Sequence, residues 1–127
     1  MQWGLLVAIA VGGALGSLAR HFLSSGIYAA AGTAFPWGIF VVNILGGFFM
    51  GLIVELGAVK MNMSLEMRAF LTTGILGGFT TFSTFSLDAA LLIERGDWLS
   101  AAAYMVGSVA LSVGALFGGL WLVRTLA

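Results

Sequence analysis

The chain has 127 residues, of which 61% are hydrophobic and 8% charged, with five basic and five acidic side chains, one His and no Cys. Without cysteine there is no disulfide framework or thiolate metal site, and one His cannot supply a zinc cluster. Zero net charge and the lack of a basic run argue against nucleic acid as a partner. Uncharged runs at Met1–Ala19, Phe22–Val54, Ala69–Leu87 and Trp98–Val123 take up 97 of the 127 positions. A bilayer core about 30 Å thick needs about 20 such residues per helix, so four spans fit and a fifth does not. The expectation is an all-α, multi-pass membrane protein with one four-helix domain over residues 1–127, leaving no room for an appended enzyme domain. Met1-Gln2-Trp3 has no positive n-region, so the first span is read as retained rather than cleaved.

In chain order, span one is predicted from about Leu5 to Arg20-His21, with Ser24-Ser25-Gly26 and Gly32 breaking the pattern. Pro36 suits the first turn of span two, which carries Trp37 at an interface and ends near Glu55. A polar link, Lys60 to Ser64, leads into span three with Ser64 as N-cap. Gly96 closes span three and Asp97 caps span four, which runs from about Trp98 to Trp121. Both termini then share a side with Lys60, Arg68 and Arg124, while Arg20 and Arg95 lie opposite. Three against two is almost no bias, so the positive-inside rule is compatible with insertion both ways and equally with a single orientation set by something weaker. Each span also holds a Gly-x-x-x-Gly: Gly12/Gly16, Gly47/Gly51, Gly74/Gly78 and Gly114/Gly118. Such strips let helices approach closely, and four spans are too few to enclose a pathway comfortably, which favours an oligomer.

Residues 72–86 are the most informative stretch, because ten of the fifteen are Gly, Ser or Thr. All are poor helix formers at a depth where lipid demands an unbroken helix, and a break is predicted near Gly77-Gly78. Broken helices present carbonyls or amides to ions; the bland alternative is hydroxyls bonding back to their own helix. Phe79, Phe82 and Phe85 recur every three residues, either as a packing ridge or as ring edges whose positive quadrupole faces an anion. Ser83 and Thr84 interleave with them.

Asn43 is the only amide deep in a span and must find a partner, as donor to an anion or as glue between helices. Tyr104, Ser108 and Ser112 stand at i, i+4, i+8 on one face of span four, as a ladder of donors or as self-bonded hydroxyls with Tyr104 an interfacial anchor. Arg20 either draws anions into a vestibule or snorkels, and Asp88 is an intramembrane carboxylate with a functional or a structural partner.

The segments Gly13–Arg20, Asn43-Ile44-Leu45-Gly46 and, above all, Gly74–Ser86 resemble the bacterial fluoride channels called CrcB or Fluc, and the resemblance extends over all four spans. It implies an antiparallel, dual-topology homodimer in the bacterial inner membrane, exporting fluoride passively through two pores at the subunit interface. It assigns Phe82 and Phe85 to ring-edge contacts, Asn43 to anion hydrogen bonding, and Ser83, Thr84, Tyr104, Ser108 and Ser112 to a polar track. Arg20 becomes the vestibule arginine, and the backbone carbonyls of Gly77 and Thr80 the ligands of a structural sodium ion shared by both subunits. Asp88 stands where relatives carry a longer Glu. The rival reading is a dual-topology, proton-coupled antiporter of small cations, for which Asp88 is the only serious carboxylate; a non-transporting scaffold is a second.

Overall fold

A computed structural model describes residues 2–59 and 62–126. Lys60 and Met61, which entered the charge count and the polar link, lie outside the described residues. The order of elements is α1 (Trp3–Ala31), α2 (Trp37–Val59), α3 (Leu65–Ala69), a π-helical stretch (Phe70–Leu76), α4 (Gly77–Phe79), α5 (Phe82–Glu94) and α6 (Trp98–Leu126), with no strand among the described residues. Four segments are long and apolar enough to cross a membrane: Trp3–Ala31, Trp37–Ala58, Leu65–Glu94 and Trp98–Leu126. The protein is a multi-pass membrane protein.

The first helix departs from expectation. It does not stop at Arg20-His21 but continues through all 29 residues to Ala31, about 43 Å at 1.5 Å per residue. Ser24 does not break it, because its hydroxyl returns to the carbonyls of Arg20 (2.7 Å) and His21 (3.3 Å). The end comes at Gly32, whose φ of 84° only glycine adopts readily. Arg20 therefore lies inside the span, and among the described residues the basic side chains at helix ends become Arg68 and Arg124 against Arg95 alone. Span two likewise runs past Glu55 to Val59, and Glu55 Oε1 accepts from Arg124 Nε at 3.1 Å with its side chain 12% exposed.

Two seams hold the bundle. α1 packs chiefly on the π-helical stretch and α4, and α2 packs chiefly on α6. In the first seam a Cβ on Gly12 would lie 2.6 Å from the Phe70 carbonyl oxygen, one on Gly16 would collide with the Ile75 carbonyl, and one on Gly78 would lie 2.6 Å from the Gly13 oxygen. These backbones touch, as the Gly-x-x-x-Gly spacing predicts. In the second seam Gly47 and Gly51 meet α6, but Gly114 and Gly118 do not answer them. A Cβ on either would meet nothing within 4 Å; Gly119, one residue further round the helix, meets Phe48 instead. A small buried cluster of Ala89, Leu92, Ala101 and Tyr104 joins α5 to α6. Only 11–22% of each span is buried, so most of the apolar surface is left for the bilayer or for further protein.

The caps fall where expected. Ser64 Oγ accepts the Met67 amide at 3.1 Å. Span three closes with the Gly96 amide on Ile93 O (2.9 Å) and the Asp97 amide on Leu92 O (3.0 Å), with Gly96 at φ 80°. Asp97 then caps α6, its Oδ1 accepting the Ser100 amide at 3.4 Å. Hydrogen bonds from Ser100, with the Arg95 guanidinium behind them, hold the Asp97 carboxyl below the usual carboxylate range. A depressed folded-state value means the cap is intact above the unfolded-state value and is lost as pH falls through the folded one. Protection of the Ser100 amide, its exchange rate compared with the intrinsic rate at the same pH, should therefore hold at neutral pH and fall only on acidification below the ordinary carboxylate range, and Asp97→Asn should remove that pH dependence.

Candidate functional site

Span three is interrupted at Thr80-Thr81, not at Gly77-Gly78. Gly77 is helical (φ −62°, ψ −39°), whereas Thr80 (φ −88°, ψ 159°) and Thr81 (φ −152°, ψ 122°) are extended. The glycines serve close approach to α1, and the break falls where a Thr can restart the helix: Thr81 Oγ1 accepts the Thr84 amide at 3.2 Å. The widened π turn ahead of it sits where weak helix formers press against the glycines of α1.

A break inside a membrane frees backbone groups that must be paired. Asn43 of α2 takes both groups of Thr81: the Thr81 amide donates to Asn43 Oδ1 (2.9 Å) and Asn43 Nδ2 donates to Thr81 O (3.2 Å). Arg20 of α1 takes the other residue, its Nη1 donating to Thr80 O at 3.2 Å. Because the Thr81 amide turns to Asn43, the Gly77 carbonyl loses the partner a continuous helix would give it. Asn43 is thus helix glue with one N–H left over, since its amide has two donors.

Beside the break lies a cavity of about 370 Å³ whose lining includes Asn43, Gly46, Thr81, Phe82, Phe85, Ser108 and Ser112. Ser108 Oγ and Ser112 Oγ are buried with no hydrogen-bond partner among the described residues, so neither bonds back to its own helix. Leaving a hydroxyl unpaired in a low-dielectric interior costs about 1–3 kcal/mol, and both of these stand in the wall of the cavity. Phe82 and Phe85 keep their rings 5.5 Å apart. Phe79 does not share their face, because the break separates it from them. Other hydroxyls do bond their own helix: Thr80 Oγ1 to Leu76 O (3.0 Å), Thr72 Oγ1 to Arg68 O (2.8 Å) and Ser86 Oγ to Phe82 O (2.9 Å).

The remaining candidates stand apart. Tyr104 is no interfacial anchor: it is fully buried, its ring packs 5.0 Å from Phe85, and its hydroxyl donates to Asp88 Oδ2 at 3.0 Å. Asp88 and Thr84 line a second cavity of about 400 Å³ with Tyr28 and Arg95, on the loop side of that pair. Ser83 is exposed and its hydroxyl lies 3.3 Å from Thr81 Oγ1. The sequence reading missed Tyr28, whose hydroxyl accepts the Ile39 amide at 3.3 Å, and Gly46, where a Cβ would collide with the Thr80 side chain. Glycine immediately after Asn43-Ile44-Leu45 was the available signal for the second.

The donor set fits a small hard cation in part. The Gly77 carbonyl is released by the break, and the Thr80 carbonyl, whose helical partner would be the Thr84 amide, is held by the Arg20 side chain alone. Two carbonyls are too few to replace the water of a cation, so a second copy would have to bring another pair.

Residues 7–120 match the family described as CrcB-like protein, Camphor Resistance (CrcB). A Nitrobacter winogradskyi protein named fluoride-specific ion channel FluC is 50% identical over 126 residues, covering 99% of this chain and all of its own. A protein of the same name from Rhodospirillum centenum is 52% identical over 121 residues, 95% of this chain and 96% of its own, and one from Agrobacterium fabrum is 50% identical over 121 residues, 95% and 97%. With the break, its clamps and the cavity spanned by that match, the chain belongs to the CrcB family.

Proposed function

We propose that this protein is a fluoride-selective channel that lets fluoride leave the cytoplasm by passive diffusion across the bacterial inner membrane, working as an antiparallel homodimer. The observation that carries it is the pair of unpartnered buried hydroxyls, Ser108 and Ser112, facing the same cavity as Asn43 and the Phe82 and Phe85 rings. Relatives named fluoride-specific ion channels at about half identity support it.

Fluoride is small and strongly hydrated, so a pathway must replace its water with donors. The cavity offers two hydroxyls and the spare Asn43 N–H, while phenyl edges favour an anion and no carboxylate lines the wall. Tyr104 stiffens this wall, with its own hydroxyl committed to Asp88. The wall is one-sided. Phe82 is 78% exposed and Val109 and Val113 beside it are exposed too, so one chain leaves the path open to lipid and a second copy closes it. Antiparallel pairing brings two breaks together, and the Gly77 and Thr80 carbonyls would hold the structural sodium there. When bound, sodium supplies positive charge that satisfies freed carbonyls and offsets repulsion of an anion in the interior.

Liposomes loaded with fluoride or chloride and carrying the purified protein test the proposal. Fluoride efflux at an ion electrode with chloride retained is the expected result, and equal loss of both, or of neither, refutes it. Orientation is read separately, by labelling a single cysteine placed at Gln2 in this cysteine-free chain from each side of the membrane. Labelling from one side alone would exclude the antiparallel dimer. Since the Ser108 and Ser112 hydroxyls have no protein partner, Ser108→Ala with Ser112→Ala should leave thermal stability unchanged or raised while reducing fluoride efflux at least about tenfold.

A further inference from the structure

Arg20 does not line the cavity assigned above to fluoride. It lies inside α1 with Nη1 3.2 Å from Thr80 O and with no acid in ion-pair reach among the described residues: Asp88 bonds Tyr104, Glu55 pairs with Arg124 and Asp97 with Arg95. A guanidinium within a span carries a free-energy cost, so its placement needs a reason. What it holds is one of the two carbonyls assigned above to sodium.

The surroundings cannot yield. α1 and the 70–79 region meet backbone to backbone at Gly12, Gly16 and Gly78, and Thr81 is clamped by Asn43. In that contact only the long Arg20 side chain can move. A metal ion on the same oxygen would stand roughly 5 Å from Nη1, given a hard-cation–oxygen distance of about 2.4 Å and the 3.2 Å hydrogen bond. Two like charges at that separation in a low-dielectric interior repel strongly. One carbonyl does not hold both.

We propose that Arg20 is a built-in competitor at the cation site: its guanidinium occupies the Thr80 carbonyl when no metal ion is bound and leaves that carbonyl when one binds. The inference rests on the sodium reading of Gly77 and Thr80. It makes Arg20 a positioning residue for the break, and its removal should strengthen cation binding rather than weaken it.

The chain has no cysteine, so Arg20→Cys provides a unique thiol. The full-length protein is unfolded thermally across a sodium chloride series, with N-methylglucamine chloride holding ionic strength constant. Wild type should need at least about tenfold more sodium for half-maximal stabilisation than Arg20→Cys or its neutral methylthio adduct. The aminoethylthio adduct, which restores a positive charge, should return the midpoint towards wild type. Arg20→Gln repeats the neutral case if the cysteine variant does not fold. A sodium midpoint that is equal in all variants, or higher in Arg20→Gln, overturns the proposal and leaves the sodium site standing. Absence of any sodium-dependent stabilisation in wild type and variants overturns both.

Discussion

Replacing Asn43 with alanine should stop fluoride efflux and destabilise the same variant, because one side chain performs two tasks. Its amide satisfies both backbone groups of Thr81 at 2.9 and 3.2 Å, in the middle of a span where no other partner is at hand. Each backbone group left unpaired costs about 1–3 kcal/mol, so a loss on the order of 4 kcal/mol is expected in thermal or denaturant unfolding. Asn43→Asp separates the tasks. It keeps an acceptor for the Thr81 amide but loses the donor and brings a negative charge to the cavity wall. It should unfold later than the alanine variant and still pass no measurable fluoride. Efflux persisting in both variants would remove this cavity from the pathway.

The second large effect is expected from a pair of neighbours. A Cβ on Gly12 would lie 2.6 Å from the Phe70 oxygen and 3.0 Å from Gly74 Cα, whereas one on Gly13 would meet nothing within 4 Å. Backbone atoms cannot rotate out of the way, so Gly12→Ala has to push α1 from span three, at a cost of at least about 3 kcal/mol. Gly13→Ala gains helix propensity worth about 1 kcal/mol and should be neutral or stabilising. Opposite shifts in unfolding midpoint from two adjacent, chemically identical substitutions would tie the seam to its geometry rather than to composition. Efflux should follow the same split, since the Gly12 clash displaces the segment that carries the break.

The number of spans, their short connections and the caps at Ser64, Gly96 and Asp97 were legible because hydrophobic run length and capping chemistry are local. The end of α1 was not. Ser24-Ser25-Gly26 reads as a breaker until Ser24 is found bonding to Arg20 O, and only then does Arg20 move from the rim to the interior. The break was foreseen in kind but misplaced, since glycine density marks both flexible backbone and close approach, and only the partner helix distinguishes them. Thr81, three residues before the amide it caps, was the better clue. Among the candidate residues, Asn43, Phe82, Phe85, Ser108 and Ser112 share one cavity, while Thr84 and Asp88 line another. That division depends on helix phase across a break, which spacing along the chain cannot supply.

The π-helical stretch at Phe70–Leu76 has a bearing on length. A π turn accommodates one more residue than the α turn it replaces, so span three carries a spare residue folded into its wall. Deleting one position there would let the helix relax to ordinary winding with little change in reach. The segment beyond would keep nearly its facing, because the wide turn had already absorbed the extra residue, and Gly78 would stay near Gly13 and Thr81 near Asn43. Span three can thus lose a residue within that stretch and still aim its break, whereas the same loss from the α turn at Gly77–Phe79 would swing the break by about 100°.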